Sequence, residues 1–568
     1  MVIMGNIISQ KKFAMLCSLF SLGVLFLLRS WNIQSYAVKT GPVRLIVYST
    51  ILLGVLFFFY NLIWTVFSRK SNIPVFAAVW LYGCLFIQPI HQNIIGIDTL
   101  SVYQFTHTIL QDESATGRVF SGLLYDGQIS FGLLQEKLTP LVLLCVQTFL
   151  AAVCTRLWSL TAELSERQDR FSSILLLIGI LQTVYHPFSI EWISFTNALP
   201  GFYIHLSCVF LSVISLIRFP LKKGLVISFG LLLLAANGYQ SMVAMYILYA
   251  IPLLFVKLNR QSEINPFRNL ILSIMIPGIC SSLALLTSAI WIAGHLWIFG
   301  TVQSRVGRQI DIIRNLQYLK SMLPDLLKNS YNLLPPYLFA GLIVILLVLI
   351  LLEYKYWRFH FCQVIMILAA AGTGCIGFSI LFQIFIPEPW IVARSVFAFS
   401  AIPGMLILFY ILYTKKLPET WYRRSSVYAA ALAGLLLLGS TLIEAFRLSA
   451  ALKEVQRRDS VEAEQVMRKI EQLEKMHGKK IVLIRLFHDY PYQETYPGIK
   501  YKGMASRLFA VPWKIGPYIE KHYHRKFTVQ KEFNQEAFRK IYSGQQWDGP
   551  DFEKQIVLKD DAICIAAY

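Results

Sequence analysis

From residue 13 to residue 446 the chain is a succession of long apolar blocks, each closed by a polar or basic connection. A helix needs about 20 apolar residues to cross a hydrocarbon layer of roughly 30 Å. Blocks of this order predict spans at 13–29, 45–67, 74–90, 139–160, 172–187, 197–217, 224–238, 240–256, 269–297, 337–353, 361–386, 395–413 and 427–446. Thirteen is an odd number, so the two chain ends fall on opposite sides of the membrane. Two connections, within 91–138 and 300–336, are too long for turns and carry an amphipathic pattern. In the first, Leu100, Tyr103, His107 and Leu110 recur at helical spacing opposite Ser101, Gln104, Thr108 and Gln111. In the second, Ile312, Leu316, Leu319 and Leu323 line one side, with Arg305, Arg308 and Asp311 at its start. Both read as helices lying on the outer membrane surface and roofing a cavity between the spans.

The pattern changes after residue 446. Residues 447–477, with Ala451, Val455, Val461 and Met467 among many charges, predict a polar helix continuing from the last span. "KKIVLIRLF" (479–487) predicts a strand, "GPYIEKHYH" part of a helix, and 553–568 a pair of short strands. Residues 447–568 are therefore expected to form a small α/β domain, and 1–446 a polytopic α-helical membrane domain.

Composition agrees with that division. Hydrophobic residues are 56% and charged residues 15% of 568 positions, which excludes a soluble globule. The net charge of +20 lies partly in the span flanks and partly in the C-terminal region. It points to a membrane surface and requires no nucleic acid. Basic residues occupy every connection that is inside when the N-terminus is cytoplasmic, including Lys11, Lys12, Arg69, Lys70, Arg167, Arg170, Lys257, Arg260, Arg358 and Lys415, whereas the turns near 187–196 and 238–240 have none. The positive-inside rule then places the N-terminus in and the C-terminal domain out. Lys11 and Lys12 precede an apolar stretch with no small-residue cleavage site, which predicts an uncleaved first helix. Eight of nine cysteines lie mostly within apolar runs, and no CxxC pair, Gly-rich phosphate loop or metal-ligand motif is present, so no cofactor is indicated.

The outer connections hold the acids Asp98, Asp112, Glu113, Asp126, Glu191 and Glu388 and the cations Arg118, Arg305, Arg308 and Arg394. Ionisable groups at span ends are costly unless they face a polar cavity. A carboxylate there takes a proton from a hydroxyl, and guanidinium groups hold a departing phosphate, so the set suits group transfer. Simpler roles compete. Asp98 fits the N-cap of the surface helix it precedes, Asp126 in "LLYDGQ" reads as a turn residue, the arginines fit interfacial snorkelling, and Tyr239 and Gln240 fit helix packing. His522 and His524 read as solvated surface.

One stretch is more specific. "PFSIEWISFTNALP" (187–200) resembles the Pro-Phe-x-x-Glu signature of the bacterial glucosyltransferase II family, membrane enzymes that decorate O-antigen and related surface glycans. "GRVFSGLL" with Gly117 and Arg118, "NGYQSMVAMY" with Tyr239 and Gln240, "WIVARSVFAF" with Arg394, and the 457–484 helix and strand are similar at lower density. The resemblance implies a GT-C-like fold with an outward-facing site in a bacterial inner membrane. It also implies a polyprenyl-phosphate sugar donor, a surface-glycan acceptor, and functional partners that make and flip the donor lipid. In that reading Asp98 or Glu191 is the base, and Arg118, Asn197, Tyr239, Gln240, Arg305, Arg308 and Arg394 bind substrate. Two positions depart from the family: only Asp98 stands where an Asp-Asp pair is usual, and Asn197 stands in place of Asp. A lipid flippase or transporter, or a glycan polymerase or ligase, shares these gross features. The absence of an internal repeat and the grouping of polar residues at one face favour an enzyme over a conduit.

Overall fold

The computed structural model describes all residues except 1, 33–40, 89–112, 114, 134–137, 167–168, 262–264, 300–309, 386–388, 390, 415–420, 489–494, 502–503, 511, 533–539, 543–550 and 568. The chain divides into two compact units. One comprises residues 1–88, 107–190 and 198–444; the other comprises 89–106, 191–197 and 445–568.

The first unit is helical. Its elements are α1 (Val2–Asn32), α2 (Pro42–Phe67), α3 (Asn72–Ile87), α4 (Val119–Ser130), α5 (Thr139–Ser165), α6 (Arg170–Val184), α7 (Leu199–Arg218), α8 (Leu221–Ala236), α9 (Met242–Gln261), α10 (Pro266–Phe299), α11 (Ile312–Asn329), α12 (Leu338–Leu352), α13 (Phe361–Ser379), α14 (Ile402–Tyr413) and the start of α15 (Trp421–His477). Among the described residues, nine helices are long and apolar enough to cross a membrane, or ten if α6 and the 3-10 segment Pro187–Ser194 form one span bent by 43°. The bend falls beside Pro187, which cannot donate to the helical ladder. α3 and α12 are shorter apolar helices, and α8 has only 16 residues. Among the described residues each expected span falls largely on helical segments, but fewer than thirteen helices there have full spanning length, and the chain has the character of a multi-pass membrane protein.

Burial separates inner from outer helices. α9 and the segment Ala393–Tyr413 are buried over 94% and 100% of their apolar windows, whereas α2 is buried over only 6%. Lipid-facing residues have no reason to be covered by protein, so α9, α14 and α7 form the centre and α1 and α2 the edge. Small residues permit the central contacts. A side chain at Gly404 would lie 2.8 Å from the Gly179 carbonyl, so α6 and α14 meet backbone to backbone. At one end of the unit Arg69 donates to Glu163 at 2.6 Å, Arg260 and Arg358 both pair with Glu166, and Lys257 donates to the Leu216 and Phe219 carbonyls at 2.7 and 2.6 Å, capping α7. These are cations that the sequence assigns to the inside connections, and they gather at one end of α9 while Gln240 precedes the other.

The amphipathic reading of 312–323 holds as a helix, α11, capped by Asp311, whose carboxylate accepts from the Arg314 amide at 3.0 Å. Its stripe is split: Leu319 is buried, while Ile312, Leu316 and Leu323 remain exposed. The other expected surface helix, Leu100 to Leu110, lies outside the described residues. Asp126 departs from its sequence reading. It is not in a turn but inside α4, buried, where Arg44 grips its carboxylate with two nitrogens and the Tyr48 hydroxyl donates to it at 2.5 Å. A partner 82 residues away overrides the turn preference of Asp-Gly.

The second unit carries the rest of α15, then β1 (Leu483–His488), α16 (Pro512–Tyr523), β2 (Thr528–Glu532), β3 (Ile556–Lys559) and β4 (Ala562–Ala567). The sheet order is β2-β1-β4-β3, with β1 parallel to both β2 and β4, and β3 antiparallel to β4. Asp560 and Asp561 both have positive φ, as a two-residue hairpin demands. Ile484, Leu486, Ile563 and Ile565 alternate onto one sheet face and pack against Val466, Met467 and Ile470 of α15 and Ile515 and Ile519 of α16. Val461 lies off that helical stripe and is exposed.

Candidate functional site

The site is built on the stretch 113–121. Gly117 has φ +76, and a Cβ there would lie 2.8 Å from the Ser288 carbonyl of α10, so only glycine allows this approach. The Arg118 amide donates back to the Glu113 carbonyl at 2.9 Å, closing the turn and setting Arg118 at the head of α4. Three further bonds stitch this stretch to the turn between α8 and α9, and a fourth ties α10 to the same turn. The Phe120 amide donates to Asn237 at 2.9 Å, the Ser121 hydroxyl to Gly238 at 2.8 Å, the Gln240 amide nitrogen to Thr116 at 2.9 Å, and Ser288 to the Asn237 side chain at 3.2 Å.

Arg118 lies over the Tyr239 ring, with its guanidinium carbon 5.1 Å from the centroid. Its Nε–H is enclosed and has no acceptor among the described residues. The Tyr239 hydroxyl in turn donates to the Arg394 carbonyl at 3.3 Å. Burial pushes the Tyr239 phenol up to about 12, against the opposing pull of Arg118, so it stays protonated and donating. Arg394 is buried within the turn Ala393–Val396, which the Ser395 side chain closes by bonding to the Val392 amide at 3.0 Å. Arg118, Tyr239, Gln240 and Arg394, drawn from three distant parts of the sequence, therefore meet at one end of the helical unit. The arrangement offers a guanidinium held over an aromatic ring with an enclosed N–H donor, the kind of group that holds an anionic oxygen.

His205 of α7 braces this end. Ser121 accepts from its Nε2 at 2.9 Å, and the ring stands where a Cβ at Gly238 would come within 2.1 Å of it. The sequence reading missed Ser121, His205 and Gly238. Its one available signal was a histidine inside the apolar run "GFYIHLSCVF".

Glu191 and Asn197 belong to the other unit, as part of 191–197. Both are buried, at 1% and 3% exposure, and both have partners. Around them the Ser194 hydroxyl donates to the Glu191 carbonyl at 2.6 Å, and Trp192 meets Phe195 edge-on at 6.4 Å. A buried carboxylate in a chain of this class is held for a purpose other than solvation. Asp98, Arg305 and Arg308 lie outside the described residues. No family model matches the chain, and no curated protein and no solved structure matches it.

Proposed function

We propose that this chain is a membrane glycosyltransferase that moves a sugar, glucose by its resemblance, from a polyprenyl phosphate to a hydroxyl of a surface glycan on the outer side of the bacterial cytoplasmic membrane. The observation that carries the reading is the convergence of Arg118, Tyr239, Gln240 and Arg394, with an Nε–H of Arg118 enclosed and without an acceptor among the described residues. The Glu191 stretch adds its specific sequence resemblance.

In this mechanism Asp98 or Glu191 takes the proton of the acceptor hydroxyl as its oxygen attacks the anomeric carbon. The bond from that carbon to the phosphate oxygen breaks, and the phosphate departs with the electron pair, held by Arg118 and Arg394 as its charge grows. The lipid tail anchors the donor and so fixes the sugar against the acceptor. Purified chain given polyprenyl-phosphate glucose and a glycan acceptor releases polyprenyl phosphate under this proposal, and Glu191→Gln abolishes release while leaving membrane insertion intact. Movement of the lipid between leaflets without release would support a flippase instead.

A further inference from the structure

The helix α11 has three sides in three different surroundings. At about 3.6 residues per turn, Asn315, Leu319 and Leu326 fall on one side and are buried. Beside them lie Ile312, Ile313, Leu316, Leu323 and Leu327, all exposed. The remaining side carries Arg314, Gln317, Ser321 and Lys328, also exposed. A helix lying between protein and water has a single apolar side, the one it packs on the protein. The second apolar side of α11 faces neither the rest of the unit nor a surrounding that suits water.

Two observations identify what covers it. α11 packs against Leu381–Phe385 and against α12, where Leu381, Phe385 and Val344 also turn outward, so its free apolar side continues the exposed apolar surface of its neighbours. Lys320 stands exposed within that side, between Leu327 and Ile313 around the helix. Against a second copy of the chain its ammonium would be shut among apolar side chains, since Asp311 and Asp325 lie elsewhere on the helix. At a bilayer surface its stem lies along acyl chains while the ammonium reaches the phosphate layer.

The buried side of α11 holds the chain that leads to Arg394. The Asn315 side-chain amide donates to the Ile384 carbonyl at 2.9 Å, and the Ile391 amide donates to the Tyr318 hydroxyl at 3.4 Å. Tyr331, just past the helix, donates to the Ile391 carbonyl at 3.3 Å, and its ring meets that of Phe188 at 5.6 Å. Both polar groups of the Ile391 backbone, three residues before Arg394, are thus held from α11 and the turn that follows it.

We propose that α11 is seated in the bilayer leaflet at the Arg394 end of the unit, with its free apolar side on phospholipid acyl chains, and that this seat keeps the turn Ala393–Val396 in place. The test uses the full chain in phospholipid nanodiscs and two readouts. In the first, Leu316→p-benzoylphenylalanine, in the middle of the apolar side, links to phospholipid on illumination, whereas Ser321→p-benzoylphenylalanine, on the polar side, does not. In the second, hydrogen exchange is compared between wild type and the double variant Ile312→Glu with Leu316→Glu, both changes on exposed positions. The Ser395 and Val396 amides, which bond to the Val392 carbonyl at 3.0 and 3.3 Å, exchange faster in the variant, while the Leu486 and Ile565 amides of the second unit keep their wild-type rates. Neither readout involves sugar transfer, so this proposal stands or falls apart from the glycosyltransferase reading. A link from Leu316→p-benzoylphenylalanine to protein instead of lipid, equal lipid linking at both positions, or unchanged exchange at Ser395 and Val396 overturns it.

Discussion

Ser121 and His205 form a directed pair 84 residues apart in sequence. The one hydroxyl proton of Ser121 goes to the Gly238 carbonyl, so the 2.9 Å contact with His205 is made by an Nε2–H of the ring. The imidazole thereby carries a proton on Nε2, and the turn bearing Tyr239 is tied to the stretch bearing Arg118. Ser121→Ala strands a buried donor and costs about 1–3 kcal/mol. A lower unfolding midpoint together with slower sugar transfer is expected from thermal melts and initial rates in detergent. An unchanged midpoint would remove the brace from the account.

The cation over the ring is a second test. Tyr239→Phe keeps the ring beneath Arg118 and loses only the bond to Arg394, whereas Tyr239→Leu loses both. Transfer falls modestly in the first and further in the second. A double-mutant cycle of Arg118→Met with Tyr239→Leu reads a coupling of about 0.5–2 kcal/mol in transition-state stabilisation, the range of a cation–π pair. Strict additivity would mean that the contact has no part in the reaction.

Two glycines fix the same end. Gly117→Ala forces positive φ on an alanine and presses its Cβ on the Ser288 carbonyl, and Gly238→Ala drives a Cβ into His205. The strained backbone at Gly117 costs about 1–3 kcal/mol, and at Gly238 the cost is the displacement of the His205 ring. Both variants are expected to melt earlier than wild type, while Gly230→Ala, on α8 with nothing within 4 Å of its Cβ, leaves the melting point in place.

Asp126 shows where local reading stops. Its neighbour Gly127 suggests a turn, and only the fold brings Arg44 and Tyr48 onto its carboxylate. Asp126→Asn leaves Arg44 without its counter-ion, and because Arg44 is half exposed the loss falls below the roughly 3–5 kcal/mol of a fully buried pair. Arg44→Leu combined with Asp126→Leu is expected to melt closer to wild type than Asp126→Asn alone, since neither charge is then left by itself. The reverse order in thermal melts would contradict this.

The spans were legible because run length is a one-dimensional signal: a block such as 240–256 must be covered by lipid or protein whatever surrounds it. Its limits show at α3 and α12, which are apolar but too short to cross unaided, and at α8, which has 16 residues and opens on Lys222 and Lys223. In the second unit β1, α16, β3 and β4 followed from periodicity, whereas β2, "TVQKE", carries a single apolar residue, Val529, and draws its strand character from pairing with β1. At the candidate site Arg118 and Arg394 could be picked out as charged groups at span ends, and Tyr239 and Gln240 through the family resemblance of "NGYQSMVAMY". Ser121, His205 and Gly238 could not, because their roles exist only once α4, α7 and the turn before α9 stand together.

The central claim is that the Arg118 end of the helical unit receives a lipid-linked sugar phosphate and parts it from its sugar. The direct measurement is release of polyprenyl phosphate from polyprenyl-phosphate glucose by the purified chain with a glycan acceptor, compared between wild type and Arg118→Met. Release by the wild type and its loss by at least about tenfold in the variant, the effect of one lost charge-assisted contact, is the predicted result. Release that proceeds equally in both, or none in the wild type, would contradict it.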